Sequence, residues 1–273
     1  IEDYIKAGGA FALVVIALFF GRLLQIPFVN TVNDFIEARS SGFFGSKNFL
    51  SGDILPNVYF QGTLSLIICG ALCVPYKHYW TFGLILISLV LAPSRFGVIV
   101  LVMWFLYLFF KGSYRRLLWI PIILIILMFA LENLAFGKEI LALFNGESDG
   151  GSVRFGHFSS VMKEFGSSPF TMIFGFGPGS EFYSSGFQEM ATNIEISQLE
   201  YIRKYGLISF LFFIAFYFRT LLINRREIYF LNGALVLYFI VAFSNPVLSS
   251  LFLFLFLMFT YIKAFESKNC YDE

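Results

Sequence analysis

Charge is what this sequence has least of. Asp, Glu, Lys and Arg make up 14% of its 273 residues, where an ordinary soluble domain carries about a quarter. The charges nearly cancel, at a formal +1, which removes any bulk electrostatic case for binding nucleic acid. Cysteine is scarce as well. Cys69 and Cys73 lie four residues apart in an apolar run and Cys270 sits in the polar tail, so neither a disulfide framework nor a metal site is encoded. They read as small polarizable fillers. Only two histidines occur, His78 and His157, with no HExxH and no Cys/His set; no GxSxG elbow appears either. A basic, cleavable leader is also missing. The chain opens IEDYIKAGG, without Met, and is expected to be the C-terminal part of a longer protein.

Hydrophobic residues fill the gap, at 58% of the chain with 38 Phe and a mean hydropathy of +0.77. This composition points to an all-α polytopic membrane protein. A helix needs about 20 apolar residues to span the hydrocarbon core. That ruler places spans at 8–29, 55–74, 117–136, 197–218, 228–244 and 247–263. The apolar stretch 79–110 is too long for one helix and is interrupted by APSR (Ala92–Arg95). Pro93 has no backbone donor and restricts the residue before it, so a pair of helices, 79–92 and 96–110, is expected with Ser94-Arg95 at the tip. About eight transmembrane helices result, in a single transmembrane domain.

Orientation follows from the positive-inside rule. The short basic segments PYKHY (75–79), KGSYRR (111–116) and RTLLINRREI (219–228) fall on the inner side, with the tail from Lys263. The outer side then holds 30–54, the Ser94-Arg95 tip, the SNP turn at 244–246 and the long 137–196 loop. Loops beyond about 12–15 residues are usually functional or disordered, and this one has helical structure. Ser152 is placed to cap a helix over 153–165, and Gly166 stands where a C′ glycine belongs. Arg154, Phe158, Val161 and Phe165 share a face at helical spacing, so this amphipathic helix is expected to lie flat on the membrane. The glycines of GFGPGS (175–180) match neither a P-loop nor a dinucleotide fingerprint; the segment reads as a turn.

Chemistry falls to the arginines and acids. A charge at membrane depth is costly and is a functional candidate by default. Arg95 lies at the helix-pair tip and Arg154 among Phe and Val. Arg22, Arg39 and Arg203 lie on the outer side, where snorkelling to headgroups is the alternative role. Arginine's planar fork suits a diphosphate. Glu195 precedes the 197–218 span and Glu200 lies in its first turns. Glu195 is either a base or a partner of the helix dipole; Glu200 is either functional or paired with Arg203 or Lys204. Glu147 and Asp149 read as solvated loop charges. His78, in an inner loop, reads as inert, whereas His157, one turn after Arg154, is a substrate-site candidate.

The order of APSRFGV, VRFGHF, IFGFGPGSEF, NIEISQLEYIRKYGLISFLFF and SNPVL resembles the bacterial O-antigen polymerase and ligase superfamily of integral-membrane glycosyltransferases. LPNVYFQGTL (55–64) is similar to stretches of the polymerase branch. The resemblance covers most of the chain. It implies a GT-C-like helical bundle in the bacterial cytoplasmic (inner) membrane, with additional spans before this region. It also implies an undecaprenyl-diphosphate-linked glycan donor, and transfer on the outer, periplasmic face without nucleotide sugar, metal or other cofactor. The superfamily's diphosphate-binding arginines carry over to Arg95 and Arg154. Where ligases carry a His-Asn pair, the His position falls on Glu195, which favours a polymerase over a ligase acting on lipid A core. A non-enzymatic lipid-glycan flippase is the alternative outside enzymes, although no internal repeat is visible. The expected machinery is Arg95, Arg154 and Glu195 as catalytic residues, with Arg39, Arg203, His157 and Glu200 against the substrate. Expected partners are the lipid-linked oligosaccharide, membrane lipids and a chain-length regulator, in synthesis of O-antigen, capsule or exopolysaccharide.

Overall fold

The computed structural model describes residues 1–38, 42–50, 53–92, 94–111, 149–186, 188–192, 194, 196–222, 229–243, 248 and 250–269. The chain is mostly helical and divides into two compact units, Ile1–Ala142 and Leu143–Glu273.

In the first unit, helix α1 (Glu2–Leu23) carries Glu2 and Asp3 in its first turn and Arg22 in its last, each complementing the helix dipole. The first span was expected at 8–29. It starts and stops earlier because Gln25 takes a left-handed φ of 54° and Pro27 opens a second helix, α2 (Pro27–Ala38), a position that suits proline's fixed φ. An antiparallel hairpin follows, β1 (Gly42–Leu50) with β2 (Asp53–Phe60), in register from Gly42 opposite Phe60. This corrects the expected helix over 55–74. Its first part, ILPNVYF, is rich in β-branched and aromatic residues and extends as a strand. A 3-10 turn (Gln61–Ser65) then leads into the short helix α3 (Leu66–Cys73). The expected helical pair is α4 (Tyr79–Leu91) and α5 (Arg95–Phe110).

Every residue of α3 is buried, as befits a helix that is apolar all round. Small residues let its neighbours approach. A Cβ on Gly8 of α1 would lie 2.6 Å from the Cys69 sulfur, and one on Gly70 would lie 2.7 Å from Leu101 of α5. The Trp104 indole N–H donates to the Ala71 carbonyl at 2.9 Å, satisfying the one polar atom of that ring inside the core.

The second unit contains α6 (Asp149–Ser167), α7 (Pro169–Phe174), the short antiparallel pair β3 (Phe182–Ser184) and β4 (Glu189–Ala191), α8 (Ser197–Leu222), α9 (Tyr229–Val241) and α10 (Leu251–Asn269). Helix α6 is longer than the expected 153–165, so Ser152 and Gly166 lie inside it rather than capping it. Its C-terminal boundary is set by Pro169: Ser168, with φ −146° and ψ 87°, is extended as a residue before proline prefers to be. The inward face is also rotated from the expected one. Val161 and Phe165 are buried with His157, while Phe158 is exposed beside Phe155 and Met162. Val161 and Phe165 pack with Phe182, Ala191, Ile194 and Leu199 in a core of the loop's own.

Among the described residues two helices, α1 and α8, are long and apolar enough to cross a membrane. In α8 the helix is broken at Gly206, with φ 86° and ψ 160°. The segment Ser197–Tyr205 is embedded in the loop core, and Leu207–Leu222 presents Ile208, Leu211, Phe212 and Phe218 outward. The expected span 117–136 lies outside the described residues, as does the SNP turn.

The break explains GFGPGS. Ending the first half of α8 orphans its last carbonyls, and the glycine segment satisfies them: the N–H groups of Phe176 and Gly177 donate to the carbonyls of Arg203 (2.8 Å) and Lys204 (3.0 Å). Gly175, at φ 86°, crosses directly over Gly206. A Cβ on Gly175 would meet the Lys204 carbonyl oxygen at 2.5 Å, and one on Gly206 would strike the Ile173 carbonyl oxygen. Gly175→Ala and Gly206→Ala are each expected to destabilise the loop by about 1–3 kcal/mol from left-handed strain alone, with the clash in addition. Limited proteolysis in detergent checks this; cleavage of 149–196 no faster than in wild type would contradict it.

Candidate functional site

The second unit's loop is organised on Arg203, which is fully buried. All five of its N–H donors are engaged. Nε donates to Glu200 Oε2 at 3.1 Å, and Nη2 donates to Glu200 Oε1 (3.3 Å) and to the Thr192 carbonyl (2.6 Å). Nη1 donates to the carbonyl and the hydroxyl of Ser180, both at 3.0 Å, and the guanidinium stacks over Phe182 at 4.8 Å. Glu200, itself buried, also receives Lys204 Nζ at 2.6 Å. The spacing that suggested an i, i+3 or i, i+4 pair is thus used twice. Arg203 and Glu200, both expected against the substrate, are engaged with each other, and Arg203 ties α8 to the glycine turn at Ser180 and to Thr192 just past β4.

His157 also faces inward. Its ring is buried, with Nδ1 at 2.8 Å from Ser184 Oγ. The hydroxyl of Ser160 donates to Ser185 Oγ (3.0 Å), and Ser185 donates in turn to the Gly156 carbonyl (2.9 Å). The role of this cluster is to fasten α6 to the β3–β4 turn. Close approach there relies on Gly156, where a Cβ would lie 2.5 Å from the Gly186 nitrogen.

Glu164, which the sequence pattern did not single out, faces the same hub. Burial pushes its carboxyl above the ordinary value of 4.5, against the opposing pull of the Arg203 charge. Its Oε2 is buried without a hydrogen-bond partner. Its position between Lys163 and Phe165 looks like a solvated helix charge in sequence, and only the fold turns it inward.

In the first unit, Arg95 is the first residue of α5 and Ser94 is its N-cap. The Ser94 hydroxyl is buried but makes no capping bond and has no hydrogen-bond partner. A helix N-terminus presents unpaired N–H groups and a positive dipole end, which together favour an anion. Gly97 keeps the first turn open there, since a Cβ on it would lie 2.7 Å from Ser94 Oγ. Arg154 lies in the first half of α6. Glu195 and Arg39 lie outside the described residues. Among the described residues no cluster of His, Cys, Asp and Glu is arranged to hold a metal ion.

Comparison of the chain with protein-family models, with curated proteins and with solved structures finds no match in any of the three.

Two outcomes follow from the hub. Arg203→Ala leaves a buried carboxylate short of its main partner, at a cost of about 3–5 kcal/mol. Arg203→Lys is expected to rescue little of it, because an ammonium cannot reproduce the fork. Thermal unfolding in detergent measures both, and a Lys variant as stable as wild type would remove the fork argument. For Glu164, the raised folded-state pKa means that the folded protein holds this proton more tightly than the unfolded chain does. Its contribution to stability is therefore lost as pH rises from about 4.5 through the folded pKa. Glu164→Gln should match wild type at about pH 4 and exceed it increasingly toward about pH 7. A pH-independent difference would show that the carboxyl is not the cause.

Proposed function

We propose that the chain is a membrane glycosyltransferase of the polysaccharide-polymerase type. It joins oligosaccharide repeat units carried on undecaprenyl diphosphate at the outer face of the bacterial cytoplasmic membrane. The observation that carries the reading is the N-terminus of α5. A buried serine hydroxyl without a partner stands at a helix N-terminus, and an arginine follows directly. That combination suits a phosphate-bearing ligand. The order of motifs after it supports the same reading. So do the large apolar side chains left exposed on α8, such as Phe212, which is 75% exposed, and which suit lipid rather than water.

In this reading the chain has about eight spans, with α4 and α5 as a short pair. Arg95 and Arg154 each serve the donor's diphosphate, stabilising the negative charge that grows as the anomeric C–O bond breaks. Glu195 accepts the proton of the acceptor hydroxyl as its oxygen attacks the anomeric carbon. Direct displacement of this kind inverts the anomeric configuration. A diphosphate is already a good leaving group, so the protein's task is chiefly orientation. The struts at Arg203 and Glu200 hold the loop rather than the substrate, and a chain-length regulator is an expected partner.

The test is reconstitution of the full-length protein in liposomes with a purified lipid-linked repeat unit, reading glycan length on a gel. Wild type is expected to yield a ladder. Arg154→Ala and Glu195→Gln should abolish it while folding normally. A ladder in Glu195→Gln would remove that residue as base. Transfer that occurs only after a second lipid acceptor is added, without chain growth, would make the protein a ligase.

A further inference from the structure

Gln198, in the first turn of α8, is a buried side chain at 8% exposure. Neither its Nε2 nor its Oε1 has a hydrogen-bond partner. The structure around it is otherwise well satisfied. The neighbouring Ser197 N–H donates to the Ala242 carbonyl (3.1 Å), the Ser197 hydroxyl accepts from the Leu248 N–H (3.2 Å), and the Glu200 N–H donates to the Ile196 carbonyl (2.9 Å). These bonds pin the start of α8 to the segment joining α9 and α10. Native proteins rarely leave a buried carboxamide wholly unpaired, and the start of α8 that carries this one is tied to Ala242 and Leu248.

The identity of the missing partner follows from the group itself. A carboxamide offers two N–H donors and an acceptor oxygen side by side. A phosphate or diphosphate only accepts, and would leave Oε1 orphaned. A prenyl chain would satisfy neither atom. A sugar hydroxyl both donates and accepts, and two neighbouring hydroxyls match the amide's two edges at once. We infer that Gln198, at the start of α8, is a carbohydrate-recognition subsite that takes a sugar ring of the glycan rather than its diphosphate. This rests on the polymerase reading and goes beyond it by assigning the glycan end of the substrate to the second unit.

The experiment compares wild type, Gln198→Met and Gln198→Glu in the full-length protein. Binding is measured for two probes: the lipid-linked repeat unit purified from cells of the source strain lacking this protein, and synthetic undecaprenyl diphosphate without sugar. Both variants are expected to lose at least about tenfold in affinity for the glycan-bearing lipid, the size of effect expected when a hydrogen-bonded hydroxyl loses its buried partner. They should bind undecaprenyl diphosphate as wild type does. In the ligand-free protein, Gln198→Met should also raise the unfolding midpoint by about 2–4 °C, because it replaces an unpaired amide by an apolar group of similar shape. Gln198→Glu keeps the affinity test available should the Met variant fold poorly. Unchanged affinity for the glycan-bearing lipid, or equal loss toward both lipids, would overturn the subsite. Failure of wild type to bind the glycan-bearing lipid at all would instead overturn the polymerase reading, and the subsite with it.

Discussion

A buried guanidinium must be surrounded, and the demands of Arg203 shape the loop that precedes α8. Its desolvation is tolerable only if each of the five N–H donors finds an oxygen. Those oxygens come from three separate places: the Glu200 carboxylate one turn back in α8, Ser180 at the end of the glycine turn, and the Thr192 carbonyl just past β4. Meeting all of them draws together segments far apart in sequence. The aromatic ring of Phe182 then closes over the cation and continues into the apolar core with Val161 and Phe165. Against an apolar replacement of the same shape such a pair adds little net stability; what it adds is a single permitted arrangement.

The crossing of Gly175 and Gly206 is the second half of the same constraint. Arg203 and Lys204 lie just before Tyr205 and the break at Gly206 in α8, and their carbonyls are capped by the turn that also supplies Ser180. Side-chain donors of Arg203 therefore point one way into the turn while its backbone carbonyl accepts from it. The break separates two jobs: Ser197–Tyr205 belongs to the loop core, and Leu207–Leu222 carries the exposed apolar surface. An uninterrupted helix would carry the buried polar residues Gln198, Glu200 and Arg203 straight into a segment with exposed apolar side chains. The glycine lets a polar, packed start and a greasy continuation coexist within one run of sequence.

For a polymerase this arrangement has a mechanistic consequence. When the leaving group is a diphosphate, rate depends on holding an acceptor hydroxyl in line with the anomeric carbon. A loop tied to α8 through Ser180 and Thr192 suits that purpose. The residues that hold it in place are then distinct from those proposed to touch substrate, namely Arg95, Arg154, Glu195 and Gln198.

Composition and local patterning carried a good part of this structure. The apolar excess announced helices. Pro93 announced the boundary between α4 and α5. The Gly-Pro cluster at 175–180 announced a turn, and the periodicity of 153–165 announced a helix there, because each depends on backbone preferences or on neighbours within a turn or two. What sequence alone did not decide depends on partners distant along the chain. ILPNVYF is apolar enough for a helix and becomes a strand only by pairing with β1. Gly206 looks like any tolerated helix glycine until Gly175 crosses it. Glu164 looks solvated until α6 turns it toward Arg203, and Gln198 looks like an ordinary helix-surface amide until the fold buries it. Burial and hydrogen-bond completeness are properties of the assembled chain, so the surroundings of Arg203, Glu164 and Gln198 were decided by tertiary structure, whereas the helix-rich, apolar character of the protein was decided by its amino-acid content.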